Sequence, residues 1–416
     1  SQDPIIDDAS VLLTLRLQAW YYAPALAADL GREGFAFRYA NPAEDIPEKN
    51  LADIIADLRG LDRGGVTFVL AQANAGEQAI RAADRGAKVY SAADVTGVAL
   101  LPGAVTARID LDGNPAESID FDMHPVWGAI HDITVDGQEM VFIPAFHYRA
   151  APAPKGSPHA GQPCWWISTA PRDGFRLHPA FLRDGKPVSG ILVGKHQASK
   201  DGDKAASKGG VKPWTSIDFP SAQAACSARG DGWRMWDVYD IAAIQMLALI
   251  EVGADLQDLI GRGNVDCDGV KPCGSSDATW RGLHDLWGNV WQMVDGVIAD
   301  AQDVIHIRDI NGLGQWVNTG ITFGVDEESG WPCALHDESG DGFDLSAVFL
   351  PSTVTDEPED ALIKDYCYGS WRGRECVAYW GGAWSYGARA GVFTLNLSLP
   401  RSSAGSGIGF RPAFAL

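Results

Sequence analysis

Hydrophobic and polar positions change their rhythm along this chain. Near the N-terminus, Leu51, Ile54, Ile55 and Leu58 recur at the spacing of one helix face. A short β-branched run, Val66 to Leu70, follows, then a helical pattern over Gly76 to Ala83 and a strand pattern over Lys88 to Tyr90. Strand, helix and strand in that order predict a small α/β unit over residues 5–110. Its loop, Ala71 to Gly76, holds one glycine, so it matches neither a dinucleotide-binding nor a Walker loop. The tetrapeptide Ser1-Gln2-Asp3-Pro4 reads as an expression-tag remnant.

Beyond residue 104 the period shortens. Val105 to Ile109 and Glu139 to Pro144 read as strands beside turns at Asp112-Gly113 and Asp136-Gly137. Trp165 to Ser168 is a third apolar run, followed by a turn at Asp173-Gly174. Residues 151–163 and 197–212 are expected to be polar loops. Ser221 to Arg229 and Met235 to Val252 predict helices, the second with Asp237 and Asp240 in its first turn, where the helix dipole favours negative charge. From Gly261 onward the pattern holds no long helix. The chain therefore reads as an α+β protein, with a small N-terminal α/β domain over residues 5–110 and a larger domain over residues 111–416.

Composition narrows the function classes. The formal net charge is -21, with 33 Lys and Arg against 54 Asp and Glu. That balance disfavours nucleic-acid binding, which needs clustered cations to neutralise phosphates, and docking on anionic lipid. No apolar stretch is long enough for a transmembrane helix. The 15 Trp and 47 Gly predict an irregular backbone held by buried indoles. Seven Cys leave at least one unpaired within the chain. Cys267 and Cys273 are close enough in sequence to bridge a small loop or to stay as buried thiols.

Two C-terminal segments carry more specific information. The first is Gly282-Leu283-His284-Asp285-Leu286-Trp287-Gly288-Asn289-Val290-Trp291-Gln292-Met293. The second is Gly381-Gly382-Ala383-Trp384, closed by Ile408-Gly409-Phe410-Arg411-Pro412. Gly288-Asn289 suits a tight turn with positive φ. Glycines at 381 and 382 permit close backbone approach. The Arg411 guanidinium is suited to holding several carbonyls at once.

Together these segments resemble the signature of the formylglycine-generating-enzyme type of C-type lectin fold, which implies that fold for residues 111–416. The enzymes of that group place a cysteine pair after the Gly-Gly-x-Trp motif. Here the stretch Ser385 to Phe393 has none, and Cys367 and Cys376 precede it. The histidine and glutamate spacing of the iron-dependent relatives is also missing. The resemblance therefore implies a protein that is not an enzyme.

The C-terminal framework more closely resembles the variable proteins of diversity-generating retroelements, found in phages, prophages and some bacteria. Trp165 to Ser168, Asp173 to Phe181 and Gly261 to Asn264 are similar to tail-associated members. In such proteins a C-terminal segment is rewritten at template adenines. Its variable positions fall here on Ala383, Ser385, Tyr386, Arg389, Ser398, Leu399, Ser403, Gly405, Ser406 and Gly407, with Tyr379 and Trp380 beside them. An Asn template codon mutated at its adenines cannot give Lys, Glu, Gln, Met or Trp, and none of these occurs at the positions from 383 onward. The resemblance implies a ligand-binding surface over about 379–407, facing a protein or glycan on a cell surface. It implies a structural frame of Gly288, Asn289, Trp291, Gly381, Gly382, Trp384 and Arg411. It also implies tail or assembly partners for the N-terminal domain, and a place in a virion tail, or in or on a bacterium. A non-diversified tail or surface protein is the alternative.

No cofactor is expected. Asp337, Glu338, Asp341 and Asp344 have the oxygen ligands for a structural calcium, without the spacing of an EF-hand. A solvated insertion is the simpler reading there and for Asp356 to Asp360.

Overall fold

The computed structural model describes residues 95–416 apart from 118 and 326–327, with four short strands upstream. Those strands form two antiparallel pairs, Ala36–Phe37 with Lys49–Asn50 and Thr67–Val69 with Ala79–Arg81. Thr67–Val69 falls within the expected strand. Ala79–Arg81 replaces part of the expected helix over 76–83, because its backbone hydrogen bonds go to the partner strand. The helix expected over 51–58 and the strand over 88–90 lie outside the described residues.

Two compact units divide the chain. One takes in Ser1–Val95, Asp120–Ala129 and Ser168–Asp173, and the other Thr96–Ile119, Ile130–Ile167 and Gly174–Leu416. Within the first, Trp127 is buried, and Phe121 and His124 each meet its ring edge-on at 4.7 Å.

The second unit is mostly β with few helices, rather than the expected α+β mixture. The 151–163 stretch is a loop flanked by two strands, His147–Pro152 and Pro163–Ser168. These two pair in one five-stranded sheet that also holds Val95–Leu101 and Val105–Ile109. The 197–212 stretch, expected as a loop, folds into the hairpin Ala198–Asp201 with Lys204–Ser207. Its small apolar residues Ala198, Ala205 and Ala206 are buried, which outweighs the polar composition.

A second five-stranded sheet sets the C-terminal strand among strands from the middle of the chain. Its order is Trp233–Met235, Pro412–Phe414, Gly190–Gly194, Gln138–Pro144, His131–Val135. The turn at Asp136-Gly137 has positive φ at both residues, 49° and 73°, the geometry that matches strand twist in a two-residue hairpin. Two helices of more than one or two turns accompany these sheets. Phe219–Ser227 is capped by Asp218. Val238–Glu251 opens on a capping box between Asp237 and Asp240. Nearly every residue of that helix is buried. It is apolar on all sides and so belongs to the interior.

The third sheet, of nine strands, carries the segments of interest. Trp291–Ala299 is central. It pairs antiparallel with Cys376–Trp380 and parallel with Ile408–Phe410. Cys376–Trp380 pairs in turn with Leu395–Leu399, which runs parallel to Cys367–Tyr368. The sheet continues through Ser329–Leu335 to Pro351–Thr355.

Candidate functional site: a backbone-held surface

The frame of the site is a polar network. Gly288 and Asn289 turn with φ of 73° and 64°. The Asn289 carboxamide is fully used. Its Oδ1 accepts from Asn264 Nδ2 at 2.9 Å and Lys271 N at 2.8 Å, and its Nδ2 donates to Gln197 Oε1 at 2.9 Å. Arg411 is buried. It donates to the carbonyls of Gly194, Lys195, His284 and Asp285 at 2.8–3.1 Å and to Gln292 Oε1 at 2.8 Å. Burial pushes its pKa down to about 10, which still leaves a cation at neutral pH. One guanidinium thus ties the irregular segment at His284–Asp285 to the end of one strand at Gly194 and to the start of another at Gln292.

The Gly-Gly-x-Trp motif docks on this frame. Gly288 N donates to Gly381 O at 2.9 Å, and Trp384 N to Asn289 O at 3.2 Å. Gly381 and Gly382 have φ of 93° and 75°. A Cβ on Gly382 would lie 2.7 Å from Ala390 Cβ, so both conformation and space require glycine.

The segment after the motif is fixed through its main chain. Gln257 Nε2 donates to Gly387 O at 3.1 Å and Ala390 O at 2.7 Å, and Gln245 Nε2 to Val392 O at 2.8 Å. Thr394 Oγ1 donates to Arg389 O at 2.6 Å. Asp365 Oδ2 accepts from Phe393 N at 2.7 Å. Gly387 N donates to Val265 O and Cys267 N to Trp384 O. The next stretch is held the same way. Ser216 N donates to Gly405 O, Phe219 N to Arg401 O and Trp291 N to Gly407 O. None of these anchors uses the side chain of Ser385, Tyr386, Arg389 or Ser406.

Those four side chains face outward to different degrees. Ser385, Arg389 and Ser406 are exposed and Tyr386 is half-buried. Ser398, Leu399, Ser403, Gly405 and Gly407 are half-buried. One of these has a local duty, Ser398, whose Oγ donates to Asn396 Oδ1 at 2.8 Å. Tyr379, Trp380 and Ala383 depart from the expected display surface. They are 0%, 1% and 3% exposed. Cys376–Trp380 is an interior strand, paired on both edges and covered on both faces, so Tyr379 and Trp380 are core, and Ala383 is buried just beyond its end. Phe393, Leu395, Leu397 and Phe410 are core as well, whereas Trp384 and Ile408 are only half-buried.

Beside the loop lies an aromatic cluster that the sequence reading passes over. Trp291 meets Tyr386 edge-on at 5.0 Å and Tyr368 at 5.9 Å. Tyr368 meets Tyr386 at 5.7 Å and Tyr366 at 4.9 Å. Trp331 meets Tyr366 at 5.1 Å. The Arg389 guanidinium lies over the Tyr366 ring, 4.7 Å from its centroid. The signal available was the alternation Tyr366-Cys367-Tyr368, whose period of two puts both tyrosines on one face.

Elsewhere the expected chemistry is absorbed by structure. All seven cysteines are free thiols, including Cys267 and Cys273. Burial pushes Cys164 and Cys273 up to about 12 and Cys226 and Cys367 higher still, which suppresses the reactive thiolate. In the acidic insertion, Asp344 accepts from Tyr148 and Arg176, and Glu338 pairs with His336. Among the described residues no group of three or more His, Cys, Asp or Glu is placed to hold a metal ion. No described helix is long and apolar enough to cross a membrane.

No protein-family model matches the chain, and no curated protein matches it. Solved structures do. PvdO from Pseudomonas aeruginosa is 13% identical over 70% of this chain and 98% of its own, with a TM-score of 0.33. Treponema denticola variable protein 1 is 13% identical over 68% and 98%, with a TM-score of 0.30. The Major Tropism Determinant M1 variant is 11% identical over 79% and 73%, with a TM-score of 0.27. At TM-scores this low the neighbours carry no functional argument.

Proposed function

We propose that residues 111–416 form a ligand-binding module displaying exchangeable side chains on a fixed main chain, diversified by a retroelement and used to recognise a protein or glycan on a cell surface. The observation that carries this reading is the anchoring of residues 384–394. Gln245, Gln257, Asp365 and Thr394 grip that segment through main-chain groups, while the side chains of Ser385, Tyr386 and Arg389 take no part. A substitution at those three leaves every anchor in place. Tyr and Arg are also the side chains that dominate binding hot spots, and Ser adds adaptable polar contacts. A preset main chain limits the entropy lost on binding. Residues 5–110 attach the module to tail or assembly partners. The module performs no catalysis.

Sequencing the 3′ end of the gene across a population grown from one clone, with its reverse transcriptase active, tests this reading. Changes should concentrate in the codons for Ser385, Tyr386, Arg389 and Ser406 and avoid those for Tyr379, Trp380, Gly381 and Gly382. A uniform sequence in that population would contradict diversification.

A further inference from the structure

Resting on that reading, the aromatic cluster says what kind of ligand this copy takes. Trp291, Tyr366 and Tyr368 lie outside the exchangeable segment, so they are a constant platform. Trp331, Tyr368 and Tyr386 are half-buried, and Arg389 is exposed. The Trp291 Nε1–H is buried with no hydrogen-bond partner among the described residues. Trp291 and Tyr366 are buried beneath the patch, so the accessible ring surface is that of Trp331, Tyr368 and Tyr386, edged by the tyrosine hydroxyls.

Charge selects further. The chain as a whole is strongly acidic, but charges more than about 8 Å away are largely screened at physiological salt. Arg389 is the charged group within the cluster, on the Tyr366 ring. Asp266, the carboxylate beside Gly387, is ion-paired with Arg262 at 2.6 Å. Burial pushes Asp365, beneath the loop, up to about 8, so it adds little negative charge at neutral pH. A cationic ligand would compete with Arg389 for the same ring face. A peptide anchor seeks an apolar pocket, and the rings here end in hydroxyls. A sugar ring fits both demands, with an apolar C–H face for stacking and a polar edge for the donors.

We propose that this surface binds a saccharide whose pyranose ring carries a carboxylate. The ring stacks on the half-buried tyrosine faces, and Arg389 holds the carboxylate through charge-assisted hydrogen bonds. Ring stacking is shared by the constant Tyr368 and the exchangeable Tyr386, and the preference for an acid belongs to Arg389.

The test uses the full chain and isothermal titration with a hexasaccharide of alternating glucuronate and N-acetylglucosamine, beside the same hexasaccharide with its carboxyls reduced to alcohols. The acidic form should bind about 10-fold more tightly or better. Arg389→Gln should lower its affinity to that of the reduced form, and Tyr368→Ala should weaken both. Equal binding of the two forms by the unaltered chain would overturn the inference, as would no binding of either at ~10 mM, a concentration that would reveal even millimolar affinity. Binding of a glutamate-rich peptide of matched charge as tightly as the acidic sugar would reduce it to charge alone and overturn it too. Diversification of the gene without saccharide binding would fail this inference and leave the display surface standing.

Discussion

The Asp365 carboxyl and the Phe393 main-chain N–H are joined by a 2.7 Å hydrogen bond inside the protein, and this bond helps fix the display segment from below. Burial pushes the Asp365 pKa up to about 8, against the lowering effect of that bond, with Asp255 adding to the rise. The folded state then holds a proton that the unfolded chain, titrating near 4, gives up. Between pH 4 and 8 the folded state binds more protons, so this group's contribution to stability is present below about pH 4 and lost as pH rises through 8. Asp365→Asn keeps an acceptor for Phe393 without the titration. Denaturant unfolding of both proteins across this range should show Asp365→Asn gaining stability relative to the parent as pH rises. A constant difference would remove the buried proton from the account.

Arg411 should tolerate no replacement. Its five acceptors would lose their donors together. Arg411→Met should cost about 3–5 kcal/mol. Arg411→Lys should not rescue it, since an ammonium cannot span the carbonyls of two segments and the Gln292 side chain together. Urea unfolding of both variants checks this. A loss below ~1 kcal/mol for Arg411→Met would mean that the segments are held by other contacts.

Gly382→Ala should cost about 2–4 kcal/mol, combining a left-handed conformation with a contact too short for two carbons. Gly373→Ala is a useful control. It shares positive φ, but its added Cβ meets nothing within 4 Å. It should cost only the conformational part, about 1–2 kcal/mol. Similar losses at both sites would show that packing against Ala390 contributes nothing.

Exposed display positions should behave differently. Ser385→Ala and Arg389→Ala should change stability by less than about 0.5 kcal/mol each. Tyr386→Ala should cost about 1 kcal/mol, because it gives up two edge-to-face contacts. Thermal unfolding that ranked Ser385→Ala with Gly382→Ala would make the loop core rather than surface.

Much of this arrangement is legible in the sequence where backbone geometry dictates residue type. Gly288, Asn289, Gly381 and Gly382 stand at positive φ, which few other residues adopt. The two aspartates at the start of the long helix are legible too, although Asp237 is its N-cap rather than part of its first turn. Burial is harder to read. Tyr379 and Trp380 have the side chains of a binding surface, and only the placement of their strand inside the sheet, covered on both faces, makes them core. The hairpin at 198–207 looks polar because its lysines and aspartates are numerous, yet three alanines and the opposing strand decide its structure. The aromatic cluster joins residues from 291 to 389 and so has no local signature beyond the Tyr366–Tyr368 alternation.

The most direct test of the central claim is a library randomised at Ser385, Tyr386, Arg389 and Ser406, sorted for folded protein, beside a second library randomised at Tyr379, Trp380, Gly381 and Gly382. Most members of the first should fold with melting temperatures near that of the parent, and few members of the second should fold at all. If the first library collapses as readily as the second, the segment is a structural loop and the display surface does not exist.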